Sequence, residues 1–441
     1  MTSALYLYCQ EVQVLDVGNL CKGFVSKRAN LRSAIAVAAL CTASFATGAY
    51  ALEPTELTVA QALERAFQQN PELAAADWNI GIAAGAREQA GLIPNPEVSF
   101  EVEDTRSDRS TSTIQFTQPI ELGGKRSARV DLAERNQDAA SIELQGSRNQ
   151  LRATVIQAFY SVLRAKEQVA LAKESLVLTQ RALTVAEGRV KAGKVSPVET
   201  TRAQVQLSEV RLDVRRAVME QTNALQQLAA TMGDASIGLD QVKGKAHDLP
   251  RLPAAEPLLS RVNQTVDLRL AKMAINQQEA SLRLEQSQRI PDLSVTVGSQ
   301  YDALENERVN VLAFSMPIPI FNRNQGNILS AARRADQTRD QRNATEIRIR
   351  TQTQLALEQW ATAQEQLSSL HKTILPGAKS AVESATRGFE MGKFGFIDVL
   401  DAQRTLISAR SQYIRSIADA TDAWVQIERI YGDISALSAS R

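Results

Sequence analysis

The sequence predicts a mainly α-helical chain with a small β part, built as a tandem duplication of long coiled-coil helices. Three patterns carry that prediction. A seven-residue repeat places Val155, Val162, Val169, Leu176, Leu183 and Val190 on one seam, with Ala158, Ala165, Ala172, Thr179 and Ala186 three residues after each of the first five. Large and small side chains then alternate along the seam, as close antiparallel packing of helices requires. Short segments near residues 98 and 295 switch instead to a two-residue alternation of apolar and polar side chains, the period of a half-buried strand. Finally, the second half repeats the first at a constant offset of 199 residues: Gly193-Lys194 falls on Gly392-Lys393, Ala203-Gln204 on Ala402-Gln403, and Gly233-Asp234 on Gly432-Asp433. An ungapped match through two helices is the mark of duplication.

Taken in order, residues 1–51 read as a leader. Lys27, Arg28 and Arg32 form a positive start, Ser33 to Ala46 is a short uncharged apolar run, and Ala49-Tyr50-Ala51 supplies a small-x-small cleavage pattern. Cys9, Cys21 and Cys41, the three cysteines of the chain, all lie in this leader. Leu40 stands where a lipobox has a small residue, which argues against lipidation of Cys41, and residues 1 to about 24 do not suit a signal peptide, so translation is expected to start downstream of Met1. After the leader, Thr58 is placed to cap a helix that breaks at Asn70-Pro71 and resumes to Ile93. Val98, Phe100 and Val102 interleave with Glu97, Ser99, Glu101 and Glu103, and after a polar turn the alternation resumes from Thr113 to Ile120, making a hairpin.

Beyond Gly123-Gly124 the pattern turns helical and holds without proline to Gly193. The chain reverses at Gly193-Lys194-Val195-Ser196-Pro197 and returns as helix to about Met232. The stretch from Gln241 to Pro257 holds three prolines and reads as a linker. The second half follows the same plan: helix from Leu258 to Ile290, a strand on Leu293, Val295 and Val297, a polar turn, a second apolar stretch from Val309 to Phe321, and a long helix from Asn327 to Phe389 interrupted at Pro376-Gly377. The chain then reverses at Gly392-Lys393-Phe394-Gly395, and a last helix ends at Tyr431. Residues 309–316 carry apolar side chains on both faces, so their register is left open. The expected division is a leader over 1–51, a first repeat over 52–242 with its hairpin at 95–120 and helical hairpin at 125–234, and a linker over 243–257. A second repeat follows over 258–433, with hairpin 291–321 and helical hairpin 327–433, and then a tail over 434–441.

Composition excludes several functions. The 441 residues carry 50 Lys+Arg against 49 Asp+Glu, a net charge of +1 that offers nothing to a nucleic-acid backbone. His247 and His371 are the only histidines and stand far apart in sequence, so they read as linker and helix-surface residues rather than metal ligands. Gly124-Lys125-Arg126-Ser127 looks like the end of a phosphate loop, but Pro119 occupies the position of the required glycine. No nucleophile–base pair has motif support, and no catalysis, cofactor or metal centre is expected. Four strands in an exported chain leave open edges. Twelve strands from three copies would close a barrel, whereas a periplasmic coiled coil with a small hairpin domain would not need one; spacing alone leaves both open.

The duplication, Gln118-Pro119-Ile120-Glu121-Leu122-Gly123-Gly124-Lys125-Arg126, its counterpart from Phe314 to Gly326, and Asp398-Val399-Leu400-Asp401-Ala402 together resemble the TolC-like outer membrane efflux proteins. Leu122-Gly123-Gly124-Lys125-Arg126 and Phe321-Asn322-Arg323-Asn324-Gln325-Gly326 are most similar to the cobalt-zinc-cadmium or nickel efflux subgroup. The resemblance implies a homotrimer with a twelve-stranded transmembrane β-barrel, four strands per chain, in outer membrane lipid, and a helical α-barrel crossing the periplasm. It further implies a periplasmic adaptor and a proton-driven inner-membrane pump of the resistance-nodulation-division type as partners. Exported divalent cations such as Co, Zn, Cd or Ni are the implied cargo, with drugs, small organics or polypeptide as the alternative in the same fold, and an adaptor without a barrel as the alternative of another class.

The resemblance also assigns residues. Asp398 and Asp401, three apart on one helix face, match the family's ring of carboxylates at the periplasmic constriction; helix capping by Asp398 is the competing explanation for one of them. Their counterparts in the first half are Glu199 and Arg202, either a local ion pair or part of the gate's bonding. Gly193, Lys194, Val195 and Ser196, with Gly392, Lys393, Phe394 and Gly395, match the tips where the adaptor docks. Glu97, Glu101 and Glu103 would face the lumen if the apolar side of their strand meets lipid; an ordinary solvated strand face is the alternative.

Overall fold

The computed structural model describes residues 56–234 and 237–434. The expectations for the leader, its cysteines and the end of the tail lie outside the described residues. Thr58 opens helix α1 (Val59–Gln69) with a capping box: its hydroxyl accepts from Gln61 N–H while the Gln61 side chain accepts from Thr58 N–H. Asn70 then caps α2 (Pro71–Ala90), its Oδ1 accepting from Leu73 N–H at 2.9 Å. The sheet comprises β1 (Glu97–Glu103), β2 (Thr111–Ile120), β3 (Leu293–Asp302) and β4 (Glu307–Ser315) in the order β1-β2-β3-β4, every neighbour antiparallel. The second hairpin is shorter than the apolar run suggested. Pro317 and Pro319 lack the N–H a ladder needs, so β4 ends at Ser315 and residues 316–321 leave the sheet. Pro119 is tolerated inside β2 because it pairs with Ser294 of β3 beyond the end of β1, whose last partner is Thr117.

Helix α3 (Lys125–Lys191) runs 67 residues, about 100 Å at 1.5 Å per residue, and packs over part of its length with the 36-residue α4 (Pro197–Met232). Val155, Ala158, Val162, Ala165, Val169, Thr179, Leu183 and Ala186 of the heptad seam are buried. The second half contains α5 (Ala255–Ser260), a 3₁₀ turn at Val262–Gln264, α6 (Val266–Ser287), α7 (Gln325–Ser369), a π turn at Leu370–Ile374, α8 (Leu375–Glu390) and α9 (Phe396–Tyr431). The break expected at Pro376 takes the form of that π turn. Proline has no N–H to give to the preceding turn, and one wide turn absorbs the lost bond without ending the helix.

The stretch read as a linker is instead part of the main core. Val242 forms a bridge with Leu57, and Val242 and Ala246 are buried with Phe159, Leu163, Leu228 and Trp424. Lys166 Nζ donates to Val242 O at 2.6 Å and Tyr160 Oη to Asp248 O at 3.3 Å, so the irregular backbone is bonded to α3 at two points. A segment with polar caps and prolines can still pack when every fourth or fifth residue is apolar.

Ion pairs join the helices along their length. Arg87 on α2 meets Glu134 on α3 at 2.7 Å, Arg283 on α6 meets Asp131 on α3 at 2.6 Å, and Arg339 on α7 meets Glu279 on α6 at 2.8 Å. Between α3 and α9, Arg152 Nε donates to the buried Glu428 at 2.7 Å. Burial pushes the Glu428 carboxyl up, and Arg152 opposes that shift.

Candidate functional site

The sheet has two unlike faces, fixed by register. Val98 lies opposite Phe116, Phe100 opposite Ile114, Phe116 opposite Val297, Ile120 opposite Leu293, Val297 opposite Leu312 and Val295 opposite Phe314. Because side chains alternate at period two, all of these share one face. The register of β4, open in the sequence, is set by this pairing: Leu312 and Phe314 join the apolar face, and Val309, Val311 and Ala313 take the other. Apolar side chains on this face stand in the open in the single chain: Phe100 is 70 % exposed, Leu312 66 % and Phe314 65 %. The opposite face carries Glu97, Glu101 and Glu103 of β1, Gln115 of β2, Gln300 of β3 and the paired hydroxyls of Thr117 and Thr296, 2.9 Å apart. A sheet that is apolar on its bare side, polar on the other along β1 to β3 and unpaired at β1 and β4 matches a segment of a barrel wall between lipid and water. No helix among the described residues is long and apolar enough to cross a membrane.

At the other end the two helical hairpins reverse. Gly193 and Gly392 adopt φ of +66° and +79°, the left-handed conformation that favours glycine at a helix exit. Lys194 and Ser196 are exposed and Val195 half-buried, and Ser196 caps α4, its hydroxyl accepting from Val198 N–H at 3.4 Å. In the second tip Phe394 folds back so closely over Gly388 that an added Cβ would stand 2.1 Å from the ring. The first hairpin grips the second: the Arg189 guanidinium lies 4.4 Å over the Phe389 ring, and Arg181 meets Glu390 at 2.9 Å. Phe389, Phe396, Val399 and Leu400 bury against Ala182, Leu183, Ala186, Ala203 and Leu207 beneath the tips.

Asp398 and Asp401 occupy the first two turns of α9, both exposed, while Val399, Leu400 and Gln403 face inward. The Asp398 carboxylate accepts from Gly395 N–H at 2.8 Å, so Asp398 does cap its helix. The first-half counterparts differ. Glu199 and Arg202 form no ion pair with each other among the described residues; one oxygen of Glu199 is buried with no hydrogen bond, as are Thr200 Oγ1 and Gln403 Nε2. These three atoms are enclosed by the chain itself, close beneath the tips, and lack a hydrogen-bond partner in it.

A tie higher on the same helices has no signal in the sequence. Arg410 on α9, almost fully buried, donates to Leu171 O at 2.8 Å and to Glu174 on α3 at 2.5 Å, and Lys379 on α8 reaches the same carboxylate at 2.7 Å. The Lys379 hydrogen bond holds the Glu174 carboxyl below its ordinary value, with the Arg410 charge adding to it, while burial lowers the Arg410 pKa. Three helices thus meet on one carboxylate.

Comparison with known proteins decides the family. The family described as Outer membrane efflux protein matches the chain twice, over residues 62–234 and 262–433. The chain belongs to the outer membrane efflux protein family. The two matched stretches are the two halves of the duplication. The cobalt-zinc-cadmium resistance protein CzcC of Cupriavidus metallidurans is 40% identical over 376 residues, covering 85% of this chain and 90% of that protein. The nickel-cobalt-cadmium resistance protein NccC of Alcaligenes xylosoxydans xylosoxydans is 27% identical over 318 residues, covering 69% of this chain and 70% of its own length. Among solved structures, the outer-membrane channel OprN superposes with a TM-score of 0.70 at 17% identity, covering 84% of this chain and 89% of its own. At that identity the likeness shows the fold, which this efflux protein shares: long paired helices and a β part of four antiparallel strands.

Proposed function

We propose that this efflux protein is the exit duct of a tripartite, proton-driven system that carries divalent heavy-metal cations such as Co, Zn, Cd or Ni across the outer membrane. The exposed apolar face of the four-stranded sheet carries the reading, because it gives the chain a surface that only lipid satisfies. Three copies supply twelve strands, enough to close a barrel with that face outward, and each repeat contributes one β-hairpin to the barrel and one helical hairpin to a tube below it. Closure turns Glu97, Glu101 and Glu103 toward the lumen, where weak, exchangeable attraction favours passage of cations. The duct is passive; the partner pump supplies the energy.

Asp398 and Asp401 form six carboxylates around the periplasmic opening in this arrangement, selecting cations and, by mutual repulsion, helping to set the gate. The capping bond of Asp398 is compatible with that role, since it engages one carboxylate oxygen and the side chain stays exposed. Arg202 belongs to the gate's bonding rather than to an ion pair with Glu199. The tips, Gly193 to Ser196 and Gly392 to Gly395, receive the adaptor. The likeness to two heavy-metal resistance proteins supports metal cations as cargo over drugs, organics or polypeptide.

Cells that hold the cognate pump and adaptor but lack this chain are expected to become sensitive to Co, Zn and Cd and to regain resistance with the intact gene. Unchanged metal resistance beside a new sensitivity to organic toxicants would assign the duct to the second cargo class.

A further inference from the structure

The only two histidines of the chain, distant in sequence, meet in the fold. His247, in the packed segment between the two repeats, and His371, in the π turn before Pro376, place their rings 5.4 Å apart, tilted by 36°. A π turn within a helix is rare and frequently marks a working site. With bonds of about 2.1 Å and ring centres roughly 1.1 Å behind each nitrogen, two imidazoles on one tetrahedral ion set their centres ~5.2 Å apart. The observed centre-to-centre spacing of 5.4 Å lies close to that value.

The surroundings favour one tautomer of His247. Tyr413 on α9 is buried, and its hydroxyl lies 3.2 Å from His247 Nδ1. If the phenol oxygen accepts from His247 Nδ1–H, Nε2 is the nitrogen left to meet an ion. A hydrogen bond to the far ring nitrogen is an outer-shell arrangement of the kind that orients a metal-bound imidazole. His371 is exposed, its ring nitrogens have no hydrogen-bond partner among the described residues, and His247 is half-buried, so an ion can enter from solvent.

We infer that His247 and His371 together bind one borderline divalent cation, of the Zn²⁺, Co²⁺ or Ni²⁺ class, at the surface of the chain. No set of three or more His, Cys, Asp or Glu side chains suited to a metal occurs among the described residues. Water completes the coordination, and the site is open and exchangeable, unlike a closed structural zinc site. The ion bridges the segment at 237–249 to the π turn between α7 and α8. This binding is independent of what the duct exports.

The test uses the full mature protein, purified in detergent without a polyhistidine tag and stripped with chelator. Zn²⁺ titrated into it calorimetrically is expected to bind at one ion per chain, and Cu²⁺ at the same stoichiometry is expected to show two imidazole nitrogens by electron paramagnetic resonance. His247→Ala and His371→Ala should each weaken Zn²⁺ binding at least tenfold, while Tyr413→Phe should weaken it about tenfold yet keep the two-nitrogen Cu²⁺ signature. Circular dichroism and trimer mobility check that each variant is folded. Absence of Zn²⁺ binding by the wild type, affinity unchanged in the two histidine variants, or a Cu²⁺ spectrum lacking two imidazoles would each overturn the site and leave an aromatic stack.

Discussion

Arginine at Phe116 tests the two faces of the sheet against each other. Phe116 sits midway along β2, between Val98 of β1 and Val297 of β3, on the face assigned to lipid; its neighbour Gln115 sits on the face assigned to water. Phe116→Arg places a cation near the bilayer centre at a cost of about 2–4 kcal/mol, and losing its cross-strand apolar pairs adds ~0.2–1 kcal/mol. With three copies per assembly the loss is on the order of 7–15 kcal/mol per trimer. Gln115→Arg puts the same charge one residue away, on the wet face, and should change stability by no more than about 0.5 kcal/mol per chain. The assay is folding into lipid vesicles, followed by denaturant titration and by the heat-modifiable mobility of the trimer. Phe116→Arg should fail to form heat-modifiable trimers or lose them at much lower denaturant, with Gln115→Arg close to wild type. Equal effects from the two substitutions would refute the assignment of faces, and with it the barrel.

Two further substitutions probe the helical part. Arg152→Ala leaves Glu428 buried without its guanidinium, a loss of roughly 3–5 kcal/mol when the carboxylate is charged. Glu428 already has a raised pKa from burial, and removing Arg152 raises it further. A carboxyl whose folded pKa lies above its unfolded value is disfavoured as pH rises from the unfolded toward the folded value, so the defect should be small near pH 4, grow through that window and be largest at neutral pH and above. Thermal unfolding measured from pH 4 to pH 8 checks this, and a pH-independent defect would contradict it. Gly388→Ala drives a methyl into the Phe394 ring, which must swing out of the tip; the expected cost is about 1–3 kcal/mol, and because Phe394 is 49 % exposed the ring has room to move. Trimers should survive while adaptor binding, read by surface plasmon resonance, weakens; unchanged binding would remove Phe394 from the docking surface.

Much of the helical scaffold was legible because helices advertise themselves locally. The heptad on Val155 through Val190 sets α3, and the offset between Gly193 and Gly392 sets the duplication without any knowledge of packing. Features that depend on pairing between distant segments were not legible. The apolar residues of β4 fit either face until Val297 fixes Leu312 opposite it. The buried character of Val242 and Ala246 was hidden by the prolines around them, because local composition reports turn propensity and not the groove into which the turn falls. Arg410 and Glu174 are separated by 236 residues, and neither side chain differs in sequence from an exposed helical charge. The meeting of His247 with His371 depends on the packed segment and the π turn at once, and their separation in sequence gives no sign of it. For the candidate site, the Asp398-Val399-Leu400-Asp401 pattern and the strand carboxylates were visible as motif and alternation, whereas the bare buried atoms of Glu199, Thr200 and Gln403 appear only when the helices are assembled.

The most direct test of the duct is conductance of the purified protein in a planar bilayer, comparing the wild type with the Asp398→Ala/Asp401→Ala double variant while divalent cations are titrated from the periplasmic side. The account predicts cation-selective channels that Co²⁺, Zn²⁺ or Cd²⁺ block in the wild type, with both the block and the selectivity reduced in the double variant. A well-folded trimer that forms no channels would contradict the duct itself, and channels indifferent to the two aspartates would contradict the acidic entrance.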